Sequence, residues 1–179
     1  RRDIFNLRYL KPEPLIPRKL RLEVDERTTA DGQILRRVMP GEVRKACQKL
    51  FAQGVESVSI CFINSYRNPA NEIHTQEIVQ DFLGASPNKS QLYVCTSSAV
   101  AREWREYERT STCVLNAYVM PLVDQYLSQL KEDFHALGVK GTLYVMLSGG
   151  GVASFDYAAQ KPIETVESGP VAGTIGASK

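Results

Sequence analysis

From Thr110 to Leu137, large apolar side chains return at helical spacing: Val114, Leu115, Tyr118, Leu122, Val123, Tyr126, Leu127, Leu130, Phe134 and Leu137. No other stretch constrains the fold as strongly. A helix this long must lie against several other elements, and the runs on either side of it are too short to be helices. Pro121 falls inside the stripe, lacks an N–H, and crowds the carbonyl of Ala117, so a kink is expected near 117–121. Gly138 ends the helix, and residues 142–147 (TLYVML) read as a short buried strand.

Upstream, strand and helix signals alternate. Residues 18–27 alternate polar and apolar through Leu20, Leu22 and Val24, the pattern of a half-buried strand. Asp31-Gly32 marks a hairpin turn into a second strand over 33–38. Pro40 suits the first position of a helix that carries Val43, Ala46, Cys47, Leu50 and Phe51 inward and stops at Gly54. A strand follows over 55–63. Asn68-Pro69 then caps a helix with a buried stripe of Ile73, Ile78, Val79 and Phe82. Residues 91–96 are another strand, and a charged loop leads into the long helix. This order predicts an α/β fold, a mainly parallel or mixed sheet flanked by helices, in one domain spanning 1–179.

Composition narrows the class of function. Net charge is +2, and the basic residues near the start are interleaved with Asp3, Glu13, Glu23, Asp25 and Glu26. That surface gives no reason to expect nucleic acid or an anionic membrane as partner. No apolar run approaches the ~20 residues that span a bilayer, and no signal peptide is visible at the start. Cys47, Cys61, Cys95 and Cys113 are widely spaced among apolar neighbours and form no C-x-x-C. They read as small buried hydrophobes in a reducing, cytoplasmic setting. The two histidines, His74 and His135, fall on helix surfaces, so no metal site and no His-based triad is expected.

Three segments carry candidate chemistry. Ser148-Gly149-Gly150-Gly151 follows a strand, where glycines serve either as a flexible turn or as a backbone cradle for phosphate. It is neither a G-x-G-x-x-G nor a P-loop. In Ser168-Gly169-Pro170-Val171-Ala172-Gly173, Pro170 fits a first helical turn, and Gly173 and Gly176 free one face for close packing or for a nucleotide. Arg105, Glu108 and Arg109, in the charged loop with Trp104 and Tyr107, either form a solvated set of paired charges or hold a carboxylate or phosphate. The two glycine segments are expected to lie together, because ligands of parallel sheets collect beyond the carboxyl ends of strands.

Four ordered segments resemble one family. Asp3-Ile4-Phe5-Asn6-Leu7-Arg8-Tyr9 with Lys11-Pro12-Glu13-Pro14-Leu15, Asn64-Ser65-Tyr66-Arg67-Asn68-Pro69, Arg105 to Thr112 with Leu115-Asn116-Ala117-Tyr118, and Ser168-Gly169-Pro170 with Ala172-Gly173 are similar to signatures of the hydantoinase A/5-oxoprolinase family. Two departures stand out: Gly149 where the family has Asn, and Asn71 where it has His.

The resemblance implies an actin-like ATPase (ribonuclease H-like) architecture for the whole enzyme. This chain would be the internal segment between its two phosphate loops. It implies ATP and Mg²⁺ as cofactors of the full-length enzyme, a small cyclic amide as substrate and a hydantoinase B-type subunit or domain as partner. The isolated segment is expected to bind no ATP and to be inactive, with catalytic residues elsewhere. A ketone carboxylase subunit and a non-catalytic module are the alternatives.

Overall fold

The computed structural model describes residues 8, 10, 13–84 and 92–178. The Asp3–Tyr9 and Lys11-Pro12 signatures lie largely outside them. The described chain is mixed α/β. Strands β1 (Arg27–Thr28) and β2 (Ile34–Arg36) form an antiparallel hairpin. Helix α1 (Pro40–Phe51) leads to β3 (Ser57–Ile60), α2 (Ala70–Gly84) and β4 (Tyr93–Thr96). The one-turn α3 (Ser97–Val100) precedes the long α4 (Glu106–Ala136). Then come β5 (Tyr144–Met146), β6 (Val152–Ser154), α5 (Phe155–Gln160) and α6 (Ser168–Ala177).

The central unit is β3-α2-β4, whose strands pair in parallel from Ser57↔Tyr93 to Ile60↔Thr96. Its core sits where α1 and α2 meet one side of this pair: Val38, Val43, Cys47, Ile60, Ile78 and Val79 are buried together. Phe51 and Phe82 stack across the two helices with centroids 5.7 Å apart. Helix α4 covers the other side through Cys113, Ala117 and Met120 against Cys95. Its later turns hold β5 and α5 through Leu127, Phe155 and Ala158.

Several expectations need correction. The strand expected over 18–27 is a 3₁₀ turn at Arg18–Leu20 followed by unpaired extended chain, with only Arg27–Thr28 in a ladder. Arg18 and Arg21 bond locally, to the carbonyls of Arg21 and Ile16, and Leu22 is left exposed. Alternation predicts which side chains share a face, but a strand also needs a neighbour. Ile73, placed in the buried stripe of α2, is exposed, while Asn71, Glu72 and Thr75 are buried. The 142–147 run is also less buried than expected, with Tyr144 exposed. It pairs antiparallel with β6, a strand the sequence reading passed over. The mixed α/β expectation holds: among the described residues β3 and β4 pair in parallel, and the other two strand pairs are antiparallel. Helix α4 starts at Glu106, so Arg109 belongs to its first turns, and Pro121 lies inside it.

Candidate functional site

The two glycine segments meet. Ser148–Gly151 is the turn of the β5–β6 hairpin, closed by Leu147 N–H to the Gly151 carbonyl at 2.8 Å and Gly150 N–H to the Leu147 carbonyl at 3.0 Å. Gly150 has φ +82°, and a Cβ there would stand 3.1 Å from Cδ1 of Ile175 and 3.7 Å from Cγ1 of Val171, both on α6. Ser148 anchors the turn to the chain entering α6. Its N–H donates to the Glu164 carbonyl at 2.7 Å, and its hydroxyl lies against the carbonyls of Glu164 and Val166.

Helix α6 opens at Ser168 behind Glu167, which is left-handed at φ 63° and gives the helix no side-chain cap. Nothing lies within 4 Å of where a Cβ would stand at Gly149, Gly151, Gly169 or Gly173. Open backbone at a turn and an uncapped ten-residue helix form a surface that a phosphate-bearing ligand can approach closely. The Glu167 carboxylate opposes an anion there, and neither segment contains Lys or Arg. The pair therefore lacks the cations of a complete phosphate site. A surface depression of about 470 Å³ lies elsewhere, beside Tyr93, Pro121, Asp124 and Glu132, and includes neither segment.

The charged segment before α4 divides. Arg105 and Glu108 form an exposed ion pair at 3.4 Å, and Arg105 also lies over Trp104 at 5.4 Å. Arg109 turns inward and is 1% exposed. Its Nε donates to Ser97 Oγ at 3.1 Å, Nη1 to the Glu103 carbonyl at 2.7 Å and Nη2 to the Phe62 carbonyl at 2.8 Å. Its guanidinium also faces the Tyr66 ring at 5.8 Å. The structure thus does not unite the three residues in one binding surface. Arg109 holds the protein's own backbone.

Its counter-charge is a residue the sequence reading missed. Glu72 is 0% exposed. Oε1 accepts from Phe62 N–H at 2.9 Å and from Ser97 Oγ at 2.6 Å, and Oε2 accepts from Ser98 N–H at 2.9 Å. Ser97 Oγ contacts Ser65 Oγ at 3.1 Å. A buried carboxylate and guanidinium are therefore bridged by one hydroxyl, where the parallel strands β3 and β4 end. Most of these groups' hydrogen-bonding capacity is met, which is what allows the two charges to stay buried. A sequence signal existed: Glu72 sits at helical spacing with Thr75 and Val79, on the buried face of α2.

The Asn64–Asn71 segment has a related structural task. Asn64 Nδ2 donates to the Thr28 carbonyl at 2.9 Å, Asn68 Nδ2 to the Gly32 carbonyl at 2.8 Å, and Asn71 Nδ2 to the Arg36 carbonyl at 3.0 Å and to Glu26 at 2.8 Å. Three amides clamp the β1–β2 hairpin. Asn68 Oδ1 also accepts from Ala70 N–H at 3.1 Å, capping α2. Asn71 Oδ1 is buried without a partner. Among the described residues no His, Cys, Asp or Glu group is arranged to hold a metal, and no helix is long and apolar enough to cross a membrane.

Comparison with known proteins matches this arrangement to longer chains. The chain is 39% identical over 98% of its length to an uncharacterized protein of Methanocaldococcus jannaschii, 25% of which it covers. Among solved structures, the ATP-dependent caprolactamase of Pseudomonas jessenii superposes with a TM-score of 0.81 at 29% identity, over 93% of this chain and 23% of that one. A nucleotide-free acetone carboxylase superposes with a TM-score of 0.80 at 31% identity, over 94% of this chain and 23% of that one. The chain thus spans about a quarter of the length of these relatives. Residues 1–83 match the sequence model of the hydantoinase/oxoprolinase N-terminal region, and residues 109–179 that of hydantoinase/oxoprolinase itself. On these matches and the shared fold, the chain belongs to the hydantoinase/oxoprolinase family.

Proposed function

We propose that the protein is part of an ATP-dependent cyclic amidohydrolase, in which these residues border the nucleotide cleft without supplying acid or base. The observation that carries the reading is the superposition on an ATP-dependent caprolactamase across nearly the whole chain. A lactam resists hydrolysis because its carbonyl is resonance-stabilised and its nitrogen is a poor leaving group. ATP, with Mg²⁺ shielding its phosphates, supplies the activation of that carbonyl oxygen. The chain's own contribution is backbone. Gly149, Gly151 and Gly169 leave room for a ligand's approach, Gly150 lets the turn rest on α6, and Ser148 fixes the turn against the carbonyls before that helix. Ser168, Pro170 and Gly173 form the start and open face of α6. The Glu72–Ser97–Arg109 network holds the loops after β3 and β4. A hydantoinase B-type subunit or domain is the proposed partner.

The test is substrate-dependent ADP release by the full-length protein with hydantoin, 5-oxoproline, caprolactam, or acetone plus bicarbonate. Release with a cyclic amide supports the reading. Release only with acetone and bicarbonate moves the protein to the carboxylases, a reading favoured by the equally close acetone carboxylase structure. Two glycine variants then separate cleft from scaffold. Gly169→Ala meets open space and should raise the KM for ATP several-fold at unchanged stability. Gly150→Ala is strained by its positive φ and the Ile175 contact, and should lower stability by about 1–3 kcal/mol. Normal kinetics in Gly169→Ala would remove α6 from the cleft.

A further inference from the structure

Cys61, Cys95 and Cys113 come from the chain after β3, from β4 and from α4, and they converge, with Cys95 and Cys113 buried and Cys61 partly buried against them. None of them has a part in the proposed chemistry. Their arrangement is not that of a metal site. Cys95 and Cys113 are in direct contact, with Sγ atoms 3.6 Å apart. Each sulfur also approaches the other residue's carbonyl, at 3.6 and 4.0 Å, so the two backbones run close together.

We propose that Cys95 and Cys113 form a reversible disulfide that locks β4 to α4 beneath the Ser97–Arg109 contact. Closing from 3.6 Å to a covalent S–S length of about 2.05 Å requires a local approach of ~1.5 Å. Both sulfurs lie next to the polar network. Cys95 is two residues before Ser97, and Cys113 is one helical turn after Arg109. Drawing the strand and helix together therefore acts directly on the 3.1 Å bond between Arg109 and Ser97.

The oxidant is hydrogen peroxide. The Cys95 thiolate attacks a peroxide oxygen, the O–O bond breaks, and the departing hydroxide takes a proton to become water. Cys95 is then a sulfenic acid. Cys113 gives up its proton and attacks the Cys95 sulfur, the S–O bond breaks, and a second water leaves. Two thiols are oxidised and one peroxide is reduced. The order follows from the surroundings. A hydrogen bond from Cys113 holds Cys95 below the usual thiol range, whereas contact with Cys61 and Cys95, together with burial, pushes Cys113 up. Cys95 is also the more accessible of the two, 6% exposed against 0% for Cys113, so it reacts first and Cys113 resolves it. A thiol reductant restores the pair by exchange.

The test treats native full-length protein with hydrogen peroxide, alkylates it with N-ethylmaleimide under denaturing conditions and digests it with trypsin. Cleavage after Lys89, Arg102, Arg109 and Lys131 places Cys95 and Cys113 on separate peptides, and neither shares one with Cys61. The expected result is one linked pair, Cys95–Cys113, about 2 Da lighter than the sum of its peptides. It should disappear on treatment with dithiothreitol, and the oxidised protein should have the higher unfolding midpoint. In Cys113→Ala, the sulfenic acid should persist on Cys95 and be captured by dimedone. If that variant does not fold, the linked peptide in the native protein decides alone. Full alkylation of both residues, a Cys61-containing pair or oxidation stalled at Cys95 in the native protein would overturn the proposal.

Discussion

Each face of α4 carries residues expected on the other. The face turned toward the sheet carries Arg109, Cys113, Asn116, Ala117, Met120 and Leu127, all buried. The opposite face carries Leu115, Tyr118, Leu122 and Tyr126, exposed to 45, 60, 71 and 63%. Four large apolar side chains thus lie outward, while Arg109 and Asn116 lie inward among apolar neighbours. The inner face works because each polar group there has partners. Asn116 Nδ2 donates to the Gln160 carbonyl at 3.1 Å, and its Oδ1 accepts from Ile163 N–H at 3.2 Å, tying α4 to the segment before α6. Hydrophobicity alone does not say which side of a helix is the core side. Satisfied hydrogen bonds can outweigh it.

The strongest way to break this comparison is Arg109→Met. The apolar replacement fills similar space but leaves Glu72 buried without its cation and the Phe62 and Glu103 carbonyls without their donor. Denaturant unfolding should show a loss of about 3–5 kcal/mol. Adding Glu72→Gln should recover part of it. A loss of under about 1 kcal/mol would mean the inward charges are not structural. Asn116→Ala should have the next largest effect, about 1–3 kcal/mol, since it leaves the Gln160 carbonyl and the Ile163 N–H without their partner in a part-buried setting. Retained stability there would shift the anchoring of the 160–163 segment to its apolar contacts.

The outward face should respond far less. Tyr118→Ser and Leu122→Gln, measured on this chain, should each stay within about 0.5 kcal/mol of the parent. A larger loss would show that the exposed stripe already contributes to the fold. The smallest effect is expected at the edge between the faces. There Tyr93 donates to Asp124 at 2.7 Å, and burial, followed by that bond, pushes its pKa up to about 12. A tyrosine raised in the fold above its ordinary value of about 10 adds stability that is complete below pH ~10 and is lost as pH rises toward ~12. Tyr93→Phe should flatten that alkaline limb. An unchanged limb would remove Tyr93 from it.

Local signals carried much of the fold. Pro40, Gly54, Asn68-Pro69 and Gly138 bound their helices where capping and backbone rules place them, and Asp31-Gly32 turns its hairpin. Strand pairing was less legible. Residues 18–26 alternate like a strand yet find no neighbour, and Val152–Ser154 is too short to announce itself but pairs with β5 across the glycine turn. The candidate site divides in the same way. Both glycine segments were visible as backbone chemistry, whereas Ser97 was not and Glu72 was hinted at only by its helical spacing with Thr75 and Val79, because neither residue type signals burial.

The sequence by itself determined where α1 begins and ends, where α2 begins and where α4 ends, the α/β order and the family, since each rests on neighbouring residues or ordered motifs. Only the tertiary structure decided which face of α4 turns inward and that Ser148–Gly151 rests on α6. The physical reason is distance along the chain. A buried charge is tolerable only when distant groups converge on it. Arg109 reaches the carbonyl of Phe62, 47 residues earlier, and Glu72 reaches the amide of Ser98, 26 residues later. No local pattern encodes such meetings, because the desolvation of each group is offset only once all of them are in place.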